Sequence, residues 1–589
     1  MNDLKRKRKL VVIDFEVLSK AKFWMCCMKD LETGKKHKVI NNPDELKRIY
    51  NKNKDTIWIG YNIKGYDQWI YKAILANINP FQVSEAIIGG SISPWKISDK
   101  MNKIPLVFFE IGMRDKGLKE LELFMGESIQ ESTVPFTLER YPNPQEIAEL
   151  TEYCFHDVEM TSLVFEESRE DYDSHEFIID YYKLSESSFK KTQAQLSSYV
   201  LGAKKPSIPR NDEFDFKIID TIQLDKYKFV LDWYNNYENR DYSKSLKVMI
   251  YGTITEFGWG GMHAAKKQYK AEGFIRNSDG ESFYPSEAAI YGLLSRNIED
   301  TSKFIQILDT RRKLKAIKDK KQKPFKLLLN VVYGASKDPN NELYDPQMAN
   351  AICVNGQLLL LDLIEKVEKR FGDTAEFIQG NTDGVMFNFA TEEDVNEYYE
   401  ICKEWCDRTK IVLEHDIINK VIQKDVNNYV FVEDNGSIKS KGAYIKKLSK
   451  LDYDLPIVNK AVRDYLLYGT SVRETIQNEN KLIEFQKCVK LKGNYKYITH
   501  NGERKYLKVY RVFASKSFKD GPILKVKNEG NPEKIGNTPG RAFIINDNIK
   551  NCLVPDNLDK EWYISLAEKR VEEFLPNCHY EYTLFDLIK

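Results

Sequence analysis

At 589 residues the chain has room for about four domains, and with 42% hydrophobic and 30% charged residues it can bury several cores. Lysine and arginine (89) almost cancel aspartate and glutamate (88), so total charge identifies no polyanionic partner and any basic surface must be local. No apolar run reaches the roughly 18 residues of a membrane span, and the start MNDLKRKRKLVVIDFEV lacks the layout of a secretory signal, so neither is expected. In chain order, LVVIDFEV and DTIWIGYN read as buried strands, and a long helix is expected from Pro144 through QEIAELTEYCFHDVEMTSLVFEES. Strands and helices alternating over about the first 165 residues are an α/β pattern. Residues 175–250 read as mainly helical. FIRNSDGESFYPSEAAIYGLL then gives a strand, a turn and a helix starting near Ser282, and DTRRKLKAIKDKKQKPFKLLLNVVYG two helices with a break near Pro324. EFIQGNTDGVMFNF reads as a hairpin on its Asp-Gly turn signal, and YKYITHNGERKYLKVYRVF as another turning at Asn501-Gly502. Residues 487–541 are rich in lysine with aromatics between, which fits a nucleic-acid surface or a solvated sheet face equally.

Nine scattered cysteines without a CxxC pair argue against a disulfide framework and fit a reducing compartment. Cys402 and Cys406 lie one helical turn apart with only His415 nearby, so they read as buried thiols rather than a zinc site. The basic run from Lys5 to Lys9 reads as a solvated chain start, with contact to nucleic acid or an address signal as the alternatives.

Two sets of carboxylates carry the chemistry. Asp279 follows one strand and Asp383 sits at the tip of a hairpin, so the two can converge from separate strands. Such a pair can hold two Mg²⁺ ions when substrate phosphates complete the coordination shell. The helix opening at Ser282 would offer backbone N–H groups to phosphate. Arg311 and Lys315 stand at i and i+4, and Lys326, Asn330 and Tyr333 share one face of the next helix, placing cations opposite the acids. In the second set, Asp14 and Glu16 point to one face of a buried strand, where only a cation can balance them. Asp67 follows the second strand, and Tyr153 and Asp157 stand one turn apart on the long helix.

These motifs resemble those of family B DNA polymerases. SDGESFYPS is similar to the family's motif A through Asp279, Ser282, Tyr284, Pro285 and Ser286, with Phe283 for leucine. KLLLNVVYG resembles motif B through Lys326, Asn330, Tyr333 and Gly334, with Val331 where serine is usual. GNTDG resembles motif C, with Asn381 in place of the first aspartate and Asp383 matching the second. FGWGGMH is similar to the Tyr-x-Gly-Gly element, retaining Gly260 and Gly261 with Trp259 or Phe257 for tyrosine. KSKGAYIKK resembles the primer-holding Lys-x-x-Tyr element through Lys441 and Tyr444. Asp14, Glu16, Asp67, Tyr153 and Asp157 resemble a DnaQ-like 3′–5′ proofreading exonuclease of phage type, in which Asn62 touches the primer strand and Lys119 supports the metals. Val17 departs from the usual threonine.

The resemblance implies an α/β and α+β multidomain chain, with an RNase H-like exonuclease domain followed by a right-hand polymerase. The exonuclease would occupy residues 1–175, a linker and palm 176–295, fingers 296–340, palm 341–440, and thumb with the C-terminal region 441–589. It implies primer-dependent DNA synthesis from dNTPs with proofreading in phage genome replication, by a monomer in the cytoplasm of a bacterial host. Asp279 and Asp383 would bind two Mg²⁺, as would Asp14, Glu16, Asp67 and Asp157, with Mn²⁺ able to substitute. Arg311, Lys315 and Lys326 would meet the triphosphate, Tyr284 would pack on the deoxyribose, and Tyr333 would lie against the nascent base pair. Only 46 residues separate Asp279 from Lys326, and another 46 separate Gly334 from Asn381. That leaves no room for the large insertion of protein-primed relatives and predicts a compact two-helix fingers region that extends a nucleic-acid primer. Glu581-Tyr582-Thr583-Leu584-Phe585 resembles a sliding-clamp docking peptide, with an apolar tail packed on the thumb as the alternative. The alternatives for the whole chain are a 3′–5′ exonuclease with a degenerate polymerase domain, or a non-catalytic primer–template scaffold.

Overall fold

The computed structural model describes residues 8–112, 115–527 and 530–575. They divide into two compact units. The first comprises residues 1–191, 448–456 and 480–560; the second comprises 192–447, 457–479 and 561–589. The first unit's N-terminal stretch runs to Lys191, and residues from 441 onward are shared between the two units.

In the first unit, β1 (Lys9–Leu18), β2 (Phe23–Asp30), β3 (Lys36–Ile40), β4 (Thr56–Gly60) and β5 (Phe108–Glu110) form a sheet in the order β3-β2-β1-β4-β5. β1 pairs antiparallel with β2 and parallel with β4. Its near-continuous apolar run is that of a strand covered on both faces. Helix α1 (Asp67–Leu75) follows β4, and α2 (Leu118–Phe124) precedes the long α3 (Pro144–Glu167). An Asn143/Glu146 capping box starts α3 with Pro144 in its first turn. The basic chain start is not fully solvated: Arg8 is buried, donating to Glu176, Asp180 and Glu186. The remainder of the run lies outside the described residues, apart from Lys9, which pairs with Asp30.

The second unit is built on a nine-stranded sheet. Its strands are β6 (Ser245–Ile250), β7 (Thr253–Gly258), β8 (His263–Ala265), β9 (Tyr269–Gly280), β10 (Ala375–Asn381), β11 (Gly384–Phe389), β12 (Leu413–Asp425), β13 (Asn428–Glu433) and β14 (Ile438–Lys441). Their order is β14-β13-β12-β9-β11-β10-β8-β7-β6. Between β9 and β10 the chain makes α4 (Phe283–Tyr291), α5 (Ser302–Ala316), α6 (Gln322–Lys337) and α7 (Pro346–Phe371), and α8 (Glu392–Thr409) follows β11. α7 is long and apolar enough to cross a membrane by length and composition, but 94% of that window is buried inside the unit. It is the central core helix, packing Leu358, Leu359, Leu361 and Ile364 with Phe377 and Phe387 of the sheet.

Two expectations fail here for identifiable reasons. Residues 175–250 are less helical than predicted: from 201 to 227 the chain is irregular. Its backbone finds partners on α7 instead, as Ile219 N–H donates to Asn355 and Gln223 N–H to Asp362, while Gln347 and Asn350 donate to the carbonyls of Asp215 and Glu213. Pro324 does not break the helices. It lies in the first turn of α6, where no N–H is needed, and the break falls at residues 317–321.

The remaining strands return to the first unit. They are β15 (Lys487–Lys490), β16 (Tyr495–His500), β17 (Glu503–Lys505), β18 (Val509–Ala514), β19 (Leu524–Lys527), β20 (Glu533–Lys534) and β21 (Ala542–Ile544). They form a three-stranded sheet, β15-β18-β21, and a four-stranded one, β17-β16-β19-β20. The predicted Asn501-Gly502 turn joins β16 to β17, both residues at positive φ.

Candidate functional site

In the second unit, register brings the two aspartates together. Asp279 is the penultimate residue of β9, and Gly384 of β11 pairs directly opposite it. Asp383 precedes Gly384 in the hairpin turn, and its carbonyl accepts from Gly280 N–H at 2.8 Å. Gly384 does not have positive φ, so the glycine of NTDG is not there for the turn. A β-carbon at Gly384 would fall 1.8 Å from Asp279 Oδ1. Glycine is what lets the two strands bring their acids to one sheet end. Gly261 plays a similar part, since a β-carbon there would meet Thr382 Oγ1 at 2.5 Å.

Burial, then the neighbouring Asp383, pushes the Asp279 carboxyl up to about 6. Burial also raises Asp383, against the pull of Lys441 and Lys326. Two acids close enough to repel one another, with open space on both sides, form a donor set suited to a divalent cation. A cavity of about 500 Å³ opens on one side, lined by Asp279, Ser282, Tyr284, Arg311, Lys315, Lys326, Asn330, Tyr333 and Asp383. The cations expected opposite the acids therefore share one cavity with them. A second, of about 210 Å³, holds Asn381, Lys439 and Lys441 against the same aspartates.

Within the larger cavity Arg311 is buried, with no hydrogen-bond partner on Nε. The Ser282 and Tyr284 hydroxyls are also buried without a partner, and the Tyr284 ring lies 4.7 Å from that of Tyr333. Lys315 is held by Glu414, which stands opposite Asp279 on β12. Glu414 and Gln322 were not singled out from the sequence. The period-two pattern of LEHDI, with Glu414 beside the buried Leu413, is the only local trace of the former.

Some expected residues lie elsewhere. Tyr444 lines neither cavity, and its ring is covered by Lys424 at 5.1 Å and Arg570 at 4.6 Å. Trp259 and Phe257 are core residues, Trp259 sitting among Phe214, Trp233 and Tyr234. The Gly260 carbonyl accepts from Gln357. Of the two thiols read as buried, Cys402 is buried and Cys406 half-buried, and His415 bonds Ser278.

The first unit holds a second acidic cluster. Asp14 and Glu16 project from one face of β1. Asp67, at the start of α1, accepts from Phe15 N–H at 3.1 Å, and Asp157 comes from α3. Burial followed by Asp157 pushes Asp14 up to about 7, and burial with neighbouring acids drives Glu16 and Asp67 well above the carboxylate range. Asp157 rises too, through burial. Lys119 lies 2.5 Å from Asp157 and 4.7 Å from the centre of the Tyr153 ring. Burial pulls Lys119 down, but Asp157 and Glu122 outweigh it and hold it charged.

Sequence reading missed several members of this cluster. Ligand atoms of Asp14, Glu16 and Cys154 lie within 4.8 Å of one another, as do those of Glu122, His156 and Asp157. Glu122 stands one turn from Lys119, a spacing that could have revealed it. The Cys154 thiol donates to Asp14 and burial raises it, so it is not a thiolate ligand. The carboxylate oxygens are hard donors that suit Mg²⁺ or Mn²⁺. Asn62 is at positive φ with its N–H held by Glu110 at 2.7 Å. It lines a cleft of about 960 Å³ with Trp69 and Trp95.

A family model described as DNA polymerase family B matches residues 283–433. The match contains Tyr284, Arg311, Lys315, Lys326, Asn330, Tyr333 and Asp383, and begins four residues after Asp279. No curated protein matches the chain. Among solved structures, the family B DNA polymerase from the hyperthermophilic archaeon Pyrobaculum calidifontis is similar at 13% identity. That alignment covers 96% of this chain and 78% of the other, with a TM-score of 0.43. Residues 283–433 are thus similar to a family B DNA polymerase domain, and the chain around them has a mixed α/β architecture of two compact units.

Proposed function

We propose that the chain is a primer-dependent, template-directed DNA polymerase with a separate 3′–5′ exonuclease centre. The observation that carries the first half is the register pairing Gly384 with Asp279, which sets the half-buried Asp279 and the Asp383 of the hairpin turn against a cavity lined by Arg311, Lys315 and Lys326. Asp279 and Asp383 would hold two Mg²⁺ ions, and Asp14, Glu16, Asp67 and Asp157 two more, with Mn²⁺ as a substitute. When bound, these ions supply Lewis acidity to the phosphate and stabilise the attacking and leaving oxygens.

The protein's own groups do the rest. Arg311, Lys315 and Lys326 neutralise the triphosphate, Lys315 exchanging Glu414 for phosphate. The Tyr284–Tyr333 ring pair forms an apolar wall, where Tyr284 packs on the deoxyribose, leaves no space for a 2′-hydroxyl and so favours dNTPs. Tyr333 lies against the nascent pair. Lys441 meets the primer terminus through the smaller cavity. Template contacts fall mainly on phosphate and sugar, because synthesis must tolerate every sequence. In the other centre, Lys119 and Tyr153 orient water and the strand end at the acids. Palm, fingers and thumb, in the residue ranges given above, are part of the proposal. So are a monomeric state, a role in phage genome replication and a place in the cytoplasm of a bacterial host. The Glu581–Phe585 clamp-docking segment lies outside the described residues and remains a proposal from sequence.

A labelled primer on a longer template tests both centres. With Mg²⁺ and dNTPs the primer should lengthen; without dNTPs it should shorten. Asp383→Asn should lower extension by at least about 10³-fold while leaving shortening intact, and Asp14→Ala should do the reverse. Shortening alone, unaffected by Asp383→Asn, would instead favour an exonuclease with a degenerate polymerase domain. Binding without either reaction would favour a scaffold.

A further inference from the structure

Charge in this chain is unevenly placed. The whole sequence is nearly neutral at +1, yet residues 487–541 carry fourteen lysines and arginines against four acids. This segment lies outside both acidic centres and outside the family match. We infer that the four-stranded sheet β17-β16-β19-β20 and its adjoining loop form a separate binding surface for single-stranded nucleic acid.

The register defines the face. Arg504 stands opposite Thr499, Thr499 opposite Leu524, and Leu524 opposite Lys534, a row across all four strands. Cross-strand partners share a face, and Tyr497, two residues before Thr499, shares it too. Arg504 sits 5.0 Å from the centre of the Tyr497 ring, and Tyr497 lies 5.5 Å from Tyr506, which is 59% exposed. Beside the hairpin tip, Gly521 N–H donates to Asn501, tying down the loop that carries Phe518. Phe518 is 93% exposed, and its ring is met by Arg541 at 4.6 Å.

Not every cation here is available. Lys525 and Lys527 are engaged by Glu533, Lys505 by Glu503, and Lys490 by Glu120. Arg511 is wholly buried. Lys492, Lys496, Arg504, Lys519, Lys534 and Arg541 form no ion pair among the described residues and offer their charge outward. Exposed rings alternating with free cations match the chemistry of unpaired bases on a charged backbone: rings stack on bases, cations neutralise phosphates. In a duplex the bases already stack on one another, so exposed rings would find no base face to cover. The inference needs neither proposed activity.

Fluorescence anisotropy of the full chain with labelled oligo(dT), in EDTA and across a salt series, tests it. Arg504→Gln/Lys534→Gln should weaken binding about tenfold and lower the salt slope by about 1.4, two phosphates on a single strand. Tyr506→Ala/Phe518→Ala should weaken it about tenfold with the slope unchanged. Both pairs are exposed, so melting temperatures should match the parent, and comparing variants cancels binding at the acidic centres. An iodouracil-substituted strand should photocrosslink to Tyr497, Tyr506 or Phe518. Unchanged affinity and slope with crosslinks confined to the other unit would overturn the inference. Equal or greater losses on duplex DNA would overturn the single-strand assignment.

Discussion

A β-carbon at position 384 has nowhere to go, because Asp279 Oδ1 already occupies its place. Gly384→Ala must part the hairpin from β9 or rotate the Asp279 carboxylate, and either separates the acids. Primer extension by that variant should fall by at least about 100-fold, since misplacement by about 1 Å suffices for that, while shortening of a single strand continues. Normal extension would show that the strand pair tolerates the shift and that register does not control the site. Elsewhere, Lys72 is buried in α1, donating to Gln68 and lying 4.7 Å from the Trp69 ring centre. Burial lowers its pKa from 10.5 to about 8. Between those values the unfolded chain holds more protons than the folded one, so stability rises with pH there and the penalty is fully present below about 8. Urea melts of the parent should show that rise, and Lys72→Met should flatten it while stabilising the protein at pH 7. An identical slope in both proteins would rule Lys72 out as its source.

At the scale of elements, a single buried guanidinium ties distant segments of the first unit together. Arg511 on β18 donates to Gln486 and to the carbonyls of Leu123, Glu127 and Asp547. Burial lowers its pKa to about 10, which still leaves it charged at neutral pH. The carbonyl of Leu123 ends α2, so this one side chain caps a helix from more than three hundred residues away in sequence. Leu123, Ile129 and Val509 pack beside it. Arg511→Ala strands several buried acceptors and should cost about 3–5 kcal/mol, read as an earlier denaturation midpoint of this unit. Limited proteolysis should then cut first between 480 and 560. A change below about 1 kcal/mol would mean that the apolar contact, not the guanidinium, holds these elements.

On the scale of the whole molecule, three separate stretches of sequence build the first unit and three build the second. A fragment ending at residue 191 therefore leaves α2 without β18 and the Ile129 backbone without Asn546, to which its N–H donates at 2.8 Å. Expressed alone, residues 1–191 should aggregate or bind a hydrophobic dye. Co-expression with residues 448–560, which supply the missing strands, should restore a soluble, cooperatively melting complex. Solubility of 1–191 alone, with a sharp transition, would show that the later segment is dispensable.

Much of the candidate site was legible in the sequence because it is local. Asp279, Ser282 and Tyr284 fall within six residues at a strand-to-helix turn, and Lys326 with Asn330 and Tyr333, like Asp14 with Glu16, fall within a helix or strand repeat. Periodicity alone orients such neighbours, and the resemblance names them. Glu122 was legible only through its spacing from Lys119, whereas Glu414 was not, because it meets the site through Lys315 and Asp279, both distant in sequence. The break falls before Pro324 because a proline fits the first turn of a helix, and the chain at 201–227 is irregular because its backbone finds partners in the polar side chains of α7. What the sequence by itself determined is which short segments carry acids, cations and rings, and the order in which they come. Only the tertiary structure decided that Gly384 serves close approach rather than a turn, and that residues 480–560 fold with the N-terminal body. It also decided which lysines of that segment are free. Those outcomes depend on strand register and on buried pairs between residues far apart in the chain, which no local pattern encodes.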